Sequence, residues 1–314
     1  MHRLRLKLAE RLMPFLDFLH DPAVRDLAWA IGAPSLLDAS YPAYSGHVVD
    51  DDWCRSQLET CAPWLIALDQ QAHVLHDYLA ARPTRRLGHY FESLLAFWLA
   101  RVPDMHILAT NLQVQDAQRT VGEYDFLLRD GQGKLCHWEA AVKFYLQAQP
   151  QPQQKNFIGP GGQDRLDLKL DRIFIHQLEL GHSPAGRAAL PGGQVLDKTL
   201  AFIKGYLFYQ APQPYQNLQA ESISIPGISA AHSSGWWVHY PVENLPRLAA
   251  DSHWVTLPRL RWLAPLRLTA DAGVMQHNAI INALTGHFAA SDDAVQVAEV
   301  TQDAAGEWRE AARG

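Results

Sequence analysis

The apolar residues of this chain change their period partway along, and that change limits the fold more than any other feature. Up to about residue 100 they recur at helical spacing; between Met105 and Leu146 they alternate. A helix presents one face every 3.6 residues and a strand every two, so the chain must combine both elements in an α/β class. Leu4, Leu8, Leu12, Phe15 and Leu19 form a first helical stripe, and Asp21-Pro22 opens a second helix with proline in its first turn. A third helix is expected from Arg55 to Leu79. Pro83-Thr84 starts a fourth, with Thr84 as its N-cap and an apolar face of Leu87, Tyr90, Phe91, Leu94, Leu95 and Trp98. Gly88 and Glu92 lie one turn apart on an adjoining face.

The alternating part predicts three strands. "MHILATNLQVQ" is the first, "VGEYDFLLRD" the second, and Lys134 to Leu146 the third, with a turn at Asp130-Gly131 closing a hairpin over residues 122–146. A Gln- and Pro-rich loop ending in "GPGG" follows. Leu166, Leu170, Ile173, Phe174 and Leu178 then mark a helix that Gly181 stops. "TLAFIKGYLFYQ" reads as a further strand, which a right-handed crossover returns to the same sheet. Beyond residue 211 the aromatic stretches "GWWVHYP" and "HWVTLPRLRWLAPLRL" suggest short strands or loops, and the last 25 or so residues a surface helix and a loose tail. Three regions result: an N-terminal helical region (1–83), an α/β core (84–210) and an aromatic-rich C-terminal extension (211–314). No composition shift marks a boundary after residue 80, so one unit with extensions and two domains both stay open.

Composition narrows the function classes. Of 314 residues, 48% are hydrophobic and 19% charged, a globular balance. The net charge of −6 supplies no global field for nucleic acid, so any phosphate contact must come from a local patch. The three cysteines show no C-x-x-C spacing, which argues against a disulfide framework or a cysteine zinc site and for a reduced cytoplasm. None of the 15 histidines form H-x-x-x-H. No signal peptide or membrane-length apolar run is evident, so a cytoplasmic, bacterial protein without membrane partners is expected.

Within the third strand, "HWEAAVKFYL" carries Glu139 and Lys143 on one face, together with Ala141. Glu123 and Asp125 share a face of the second strand. A register that sets Asp125 beside Glu139 brings two carboxylates and an ammonium together. Carboxylate oxygens suit Mg²⁺ or Mn²⁺, which polarises a phosphoryl oxygen and acidifies a bound water. A lysine beside it can orient that water or stabilise charge developing on phosphorus.

These residues resemble the PD-(D/E)XK nuclease superfamily: Gly88-x-x-x-Glu92 on a helix, Gly122-Glu123-Tyr124-Asp125, then Glu139 and Lys143. The element order resembles that superfamily's restriction-endonuclease-like core over residues 84–210. The wider pattern of "LGHYFE", "RTVGEYDFLL", "HWEAAVKFYL" and "IKGYLFY" resembles the domain of unknown function 1853 family across most of the chain. The resemblance implies Asp125 and Glu139 as metal ligands, Lys143 as the catalytic lysine, Glu92 as the acid of the first core helix and Glu123 as a secondary acid. It implies a Mg²⁺- or Mn²⁺-dependent nuclease acting on nucleic acid, DNA in preference to RNA. Two departures stand out. Ala141 occupies the position, two before the lysine, where the superfamily carries an acid; Glu139 lies one step further back on the same strand face. Gln177 is followed by Gly181 where a Gln-x-x-x-Tyr motif would place tyrosine.

Arg165, Lys169 and Arg172 on the helix after "GPGG", with Lys204 on the last core strand, are candidate nucleic-acid contacts. Plainer readings stand beside these. Glu139 and Lys143 alone make a structural ion pair, Glu92 alone a solvated helix residue, and His137 a packed or edge residue. Asp164, Asp167 and Asp171 interleave with the basic helix and favour a salt-bridged solvent face. The alternative function is a catalytically inactive module that binds nucleic acid or a protein partner. A third reading takes Trp236, Trp237, Trp254 and Trp262 as a ligand-stacking surface, with core packing as their default.

Overall fold

A computed structural model describes residues 7–117, 119–211, 224–240, 245, 253–269 and 273–314. The Leu4 position of the first stripe lies outside them. Helix α1 (Lys7–Leu16) is followed by α2 (Pro22–Gly32), which begins at proline as expected. The Asp21 side chain accepts from the backbone N–H groups of Ala23 (2.9 Å) and Val24 (3.1 Å), so two otherwise orphaned donors are satisfied. Every residue from Ala23 to Gly32 is buried, which makes α2 a central helix. Two of those residues are charged. Arg25 donates to the carbonyls of Leu16, Leu19 and Pro265, and Asp26 accepts from Tyr90 Oη and the Ala264 N–H. These bonds tie α2 to α1, to a later helix and to the C-terminal part.

The single helix expected over Arg55–Leu79 is two, α3 (Asp51–Gln70) and α4 (His73–Ala80), with the break at Gln71-Ala72. Asp50 caps α3 through the N–H groups of Asp52 and Trp53, so the helix starts earlier than its apolar stripe. Helix α5 spans Leu87–Leu99 and not Pro83 onward: Thr84 Oγ1 accepts from Arg86 N–H at 3.0 Å in a local turn, and the N-cap moves two residues on, from Thr84 to Arg86.

Strands β1 (Met105–Asp116), β2 (Arg119–Asp130) and β3 (Leu135–Gln147) form an antiparallel meander. The short β4 (Phe157–Ile158) pairs with the end of β3. Helix α6 (Leu166–Asp171) runs into a π-helical turn at Arg172–Gln177, and α7 (Pro184–Ala189) precedes β5 (Lys198–Gln210). As expected, β5 returns to the same sheet, parallel to β3 from Cys136–Lys198 to Leu146–Phe208. Strand β6 (Ser233–Trp237) extends it, giving the order β1-β2-β3-β5-β6 with β4 beside β3. The result is a mixed sheet flanked by helices.

Each face of this sheet buries its own core. Phe126, Trp138, Ala140, Phe144, Phe202 and Tyr206 pack against α2 and α5, with Trp138 and Phe202 stacked at 5.4 Å. Tyr145, Ile203 and Leu207 pack against Leu166, Leu170 and Ile173 of α6 and its extension. Gly205, paired with Lys143, has φ +146°, and a side chain there would run into the Lys143 carbonyl.

The C-terminal part differs from expectation. Strands β7 (His253–Leu257), β8 (Arg267–Leu268), β9 (Gln296–Gln302) and β10 (Trp308–Arg313) make a second, antiparallel sheet in the order β7-β9-β10-β8, with α8 (His277–Phe288) packed on it. The last residues are therefore strands and not a tail. Gln296 to Val300 are all buried, so β9 lacks the alternation that announces a half-exposed strand. Arg313 is also buried: it pairs with Glu310 at 2.8 Å and donates to the carbonyls of Trp262, Leu263 and Ala264. Among the described residues no helix is long and apolar enough to cross a membrane.

Candidate functional site

The site forms where β2 and β3 separate. Their ladder runs from Arg129–Leu135 to Phe126–Trp138 and stops. One step beyond the ladder come Asp125 and Glu139, close enough for the Glu139 charge to act on the Asp125 carboxyl. Asp125 Oδ2 accepts from the Ala140 backbone N–H at 2.9 Å, so a carboxylate replaces the next backbone acceptor of the ladder. On the other side of β2, Asn111 lies between the pairs Thr110–Phe126 and Leu112–Tyr124, in the left-handed region at φ +52°. Asparagine tolerates that conformation better than most residues. The Asn111 amide donates to Glu92 Oε2 of α5 at 3.1 Å.

Charge ties these groups together. Burial raises the Asp125 carboxyl well above the usual range, and the neighbouring Glu139 charge raises it further, against the Ala140 hydrogen bond. Glu139 is likewise raised, first by burial; Gln177 and Lys143 oppose this, while Glu92 and Glu123 add to it. Glu92 is raised chiefly by burial, with Asn111 holding it down. Burial lowers the Lys143 ammonium, and Lys169 lowers it further; Asp164, Glu139 and Asp125 partly offset this. The structure thus brings together Asp125, Glu139, Lys143 and Glu92, with Glu123 and Lys169 within electrostatic reach.

Gln177 belongs to this group and was not among the candidates read from sequence. It ends the π-helical turn Arg172–Gln177, and its side-chain amide acts to hold the Glu139 carboxyl down. The extra residue in such a turn re-aims the side chains after it, and π-turns concentrate at functional sites. The available signal was its place at the head of the incomplete Gln-x-x-x-Tyr pattern. A side chain at 181 would require the Leu196 side chain to move, because a Cβ there comes within 2.4 Å of its terminal methyl.

Glu139 Oε2 is buried and has no hydrogen-bond partner among the described residues; His137 Nε2 lies 3.9 Å away. His137 is fully buried, its ring set against Tyr124 at 4.8 Å and its pKa pushed down to about 3 by burial. It is a packed neutral residue, as the sequence suggested. Among the described residues no group of three or more His, Cys, Asp or Glu side chains is placed to hold a metal ion.

The candidate nucleic-acid contacts separate. Lys169 is half-buried and close enough to Lys143 to repel it, and Arg172 is exposed on the π-turn. Arg165 is exposed but bound to Asp167 through both Nε (3.0 Å) and a terminal nitrogen (2.5 Å), the salt-bridged arrangement. The glycine loop before this helix spends its donors internally: Gly159 N–H bonds Asp164 and Gly162 N–H bonds Gly159. Lys204 cannot reach a nucleic acid. It is 1% exposed; its ammonium donates to the Ala33 carbonyl at 2.6 Å, lies 3.8 Å from Asp51 and sits over the Phe202 ring. Both faces of β5 are covered, and a lysine on a covered strand points into protein.

A cleft of about 670 Å³ opens beside Lys143. Arg85 and Arg86, just before α5, line it together with Arg259 and the Gly159–Gly161 loop. Among the described residues Arg259 has an aromatic partner, Trp262 at 5.3 Å, and none of the three arginines or Lys143 forms an ion pair, although Asp164 also lines the cleft.

No curated protein and no solved structure matches the chain. A family model described as a domain of unknown function, DUF1853, matches residues 25–314, from within α2 through β10, and the chain belongs to that family.

Proposed function

We propose that the chain is a divalent-metal-dependent nuclease built on a restriction-endonuclease-like core. The observation that carries this reading is the meeting of Asp125, Glu139 and Lys143 at the split between β2 and β3, beside a cleft lined by unpaired cations. The donor set fits a hard cation. The Glu139 charge raises the affinity of Asp125 for positive charge, and Glu139 Oε2 is a buried acceptor without a donor among the described residues. Only two protein carboxylates stand ready, which suits Mg²⁺ or Mn²⁺, ions that keep several waters and take the rest of their shell from phosphate. Asp125 and Glu139 would hold the ion, which supplies polarisation of a phosphoryl oxygen and acidification of water when bound.

The chain's own groups then have distinct tasks. Lys143, with its ammonium destabilised by burial, orients a water for attack and faces the charge that develops on phosphorus. Gln177 fixes the Glu139 carboxylate, and Asn111 fixes Glu92, which assists directly or through a water. Arg85, Arg86 and Arg259 offer positive charge to flanking phosphates.

The test is cleavage of single- and double-stranded substrates by purified protein with Mg²⁺, Mn²⁺ or EDTA, beside Lys143→Ala. Metal-dependent cutting lost in the variant supports the reading; equal background cutting by both proteins, without metal dependence, overturns it. The second reading, an inactive nucleic-acid-binding module, draws on Ala141 and on the engagement of Asp125 Oδ2 by Ala140. Oligonucleotide binding with neither cleavage nor Mn²⁺ affinity would favour it.

A further inference from the structure

The basic cleft does not end in solvent on every side. Pro160 and Trp262, which line it, also line a second cavity of about 360 Å³. That cavity is walled by aromatic and aliphatic side chains, among them Trp237, Tyr240, Phe208 and Phe288. Its elements come from the end of β3, from β5 and β6, and from α8 of the C-terminal part. Trp237 is fixed by its indole N–H on the Gln147 carbonyl at 3.2 Å, and Tyr240 packs on Phe288 at 4.8 Å. Tyr240 is nevertheless 46% exposed, so an aromatic surface remains open at the mouth.

Two neighbouring environments with a common wall are thus available to one ligand. One side offers Arg85, Arg86, Arg259 and Lys143 and suits phosphate; the other offers flat aromatic surface in a volume typical of a small-molecule site. A nucleotide has this bipartite chemistry, with an anionic backbone and an apolar planar base. A base within a duplex is stacked and paired and cannot enter a pocket without being extruded, which costs a few kcal/mol and is least for a single strand.

We infer that the aromatic cavity bounded by Trp237, Tyr240 and Phe288 receives one unstacked nucleobase of a single-stranded nucleic acid whose phosphates lie in the adjoining cleft of Arg85, Arg86 and Arg259. The inference rests on the nuclease reading for its polymer and goes beyond it in naming a single strand and a base subsite. The C-terminal part, through Arg259, Trp262 and α8, completes that substrate surface.

The experiment uses the full chain in EDTA, so that binding is read without cleavage. Fluorescence anisotropy compares a labelled single-stranded oligodeoxynucleotide, its abasic counterpart of equal length and charge, and the same sequence as a duplex. Stacking of a base on aromatic side chains is worth roughly 1–3 kcal/mol, so the abasic strand and the duplex should each bind about tenfold or more weaker. Tyr240→Ala should weaken the normal strand toward the abasic value and leave the abasic strand unchanged. Arg259→Ala should weaken both strands and lower the slope of log affinity against log salt by about 1. Both altered side chains are exposed, and a melting curve for each variant establishes that it folds. Equal binding of normal and abasic strands, an unchanged affinity in Tyr240→Ala, or no binding of any strand overturns the inference. Base-dependent binding without metal-dependent cutting would keep the subsite and remove the nuclease; cutting without base dependence would do the reverse.

Discussion

Asp125 Oδ2 accepts a hydrogen bond from the Ala140 backbone N–H at 2.9 Å, where the β2–β3 ladder ends. One bond thereby does two things: it closes the sheet at its split, and it aims a carboxylate at Glu139. The second is costly without a cation, because two buried carboxyls then compete for one proton.

Asp125→Asn should therefore stabilise the metal-free protein at pH 8–9. The folded-state pKa of Asp125 is raised from 3.8 to about 8, so the folded chain holds the proton more tightly, and stability falls as pH rises from about 4 to about 8 and is level above that. Asparagine keeps an oxygen for Ala140 and offers its amide to Glu139. The melting temperature should rise by about 1.5 °C for each ~1 kcal/mol gained in a chain of this size. Mn²⁺ should raise the melting temperature of the wild type but not of the variant. A variant that melts lower without metal, or responds to Mn²⁺ like the wild type, contradicts this account.

Gln177→Ala removes the side-chain amide that holds the Glu139 carboxyl down. Loss of such an outer partner costs a metal site about 10–100-fold in affinity or activity. Mn²⁺ titration by calorimetry should show a drop of that order, with the melting temperature nearly unchanged because Gln177 is half-buried at the end of a turn. Unchanged Mn²⁺ affinity would make Gln177 a packing residue.

Legibility in the sequence followed the range of the forces involved. The helix, three strands, helix and strand from α5 to β5 and the parallel return of β5 follow from local periodicity, which a sequence displays, whereas the short β4 and α7 fall in stretches read as loops. Gln177 escaped because a π-turn shifts side-chain direction without changing composition. The cleft escaped because Arg85, Arg86 and Arg259 come from distant segments that only the tertiary fold unites. Strand β9 escaped because Gln296 to Val300 are buried on both faces and do not alternate.

Lys204 was misread for the same tertiary reason: the Ala33 carbonyl and Asp51 that receive its ammonium lie more than 150 residues earlier. Lys204→Met should leave oligonucleotide affinity and its salt slope unchanged for the folded protein, since a phosphate-binding cation would contribute about 0.9 to that slope on duplex DNA. A reduced slope with an unchanged melting temperature would return Lys204 to the binding surface.

Asp26 allows a test of the fold away from the site. It is 3% exposed, and burial pushes its pKa up to about 6, against the charge of Arg261, the Ala264 N–H and the Tyr90 hydroxyl. Its unfolded value is near 3.8. Between these values the folded state binds more protons than the unfolded state, so stability present near pH 4 is lost as pH rises to 6 and is level above that. The full difference is on the order of 3 kcal/mol. Asp26→Asn removes the titration while keeping an oxygen for Ala264 and an amide facing Tyr90 Oη. Denaturant unfolding of both proteins from pH 4 to 8 should therefore show the wild type losing ground to the variant up to about pH 6 and holding a constant offset beyond it. A constant offset over the whole range would mean that Asp26 is ionised in the folded protein throughout, with Arg261 and its two hydrogen bonds outweighing burial.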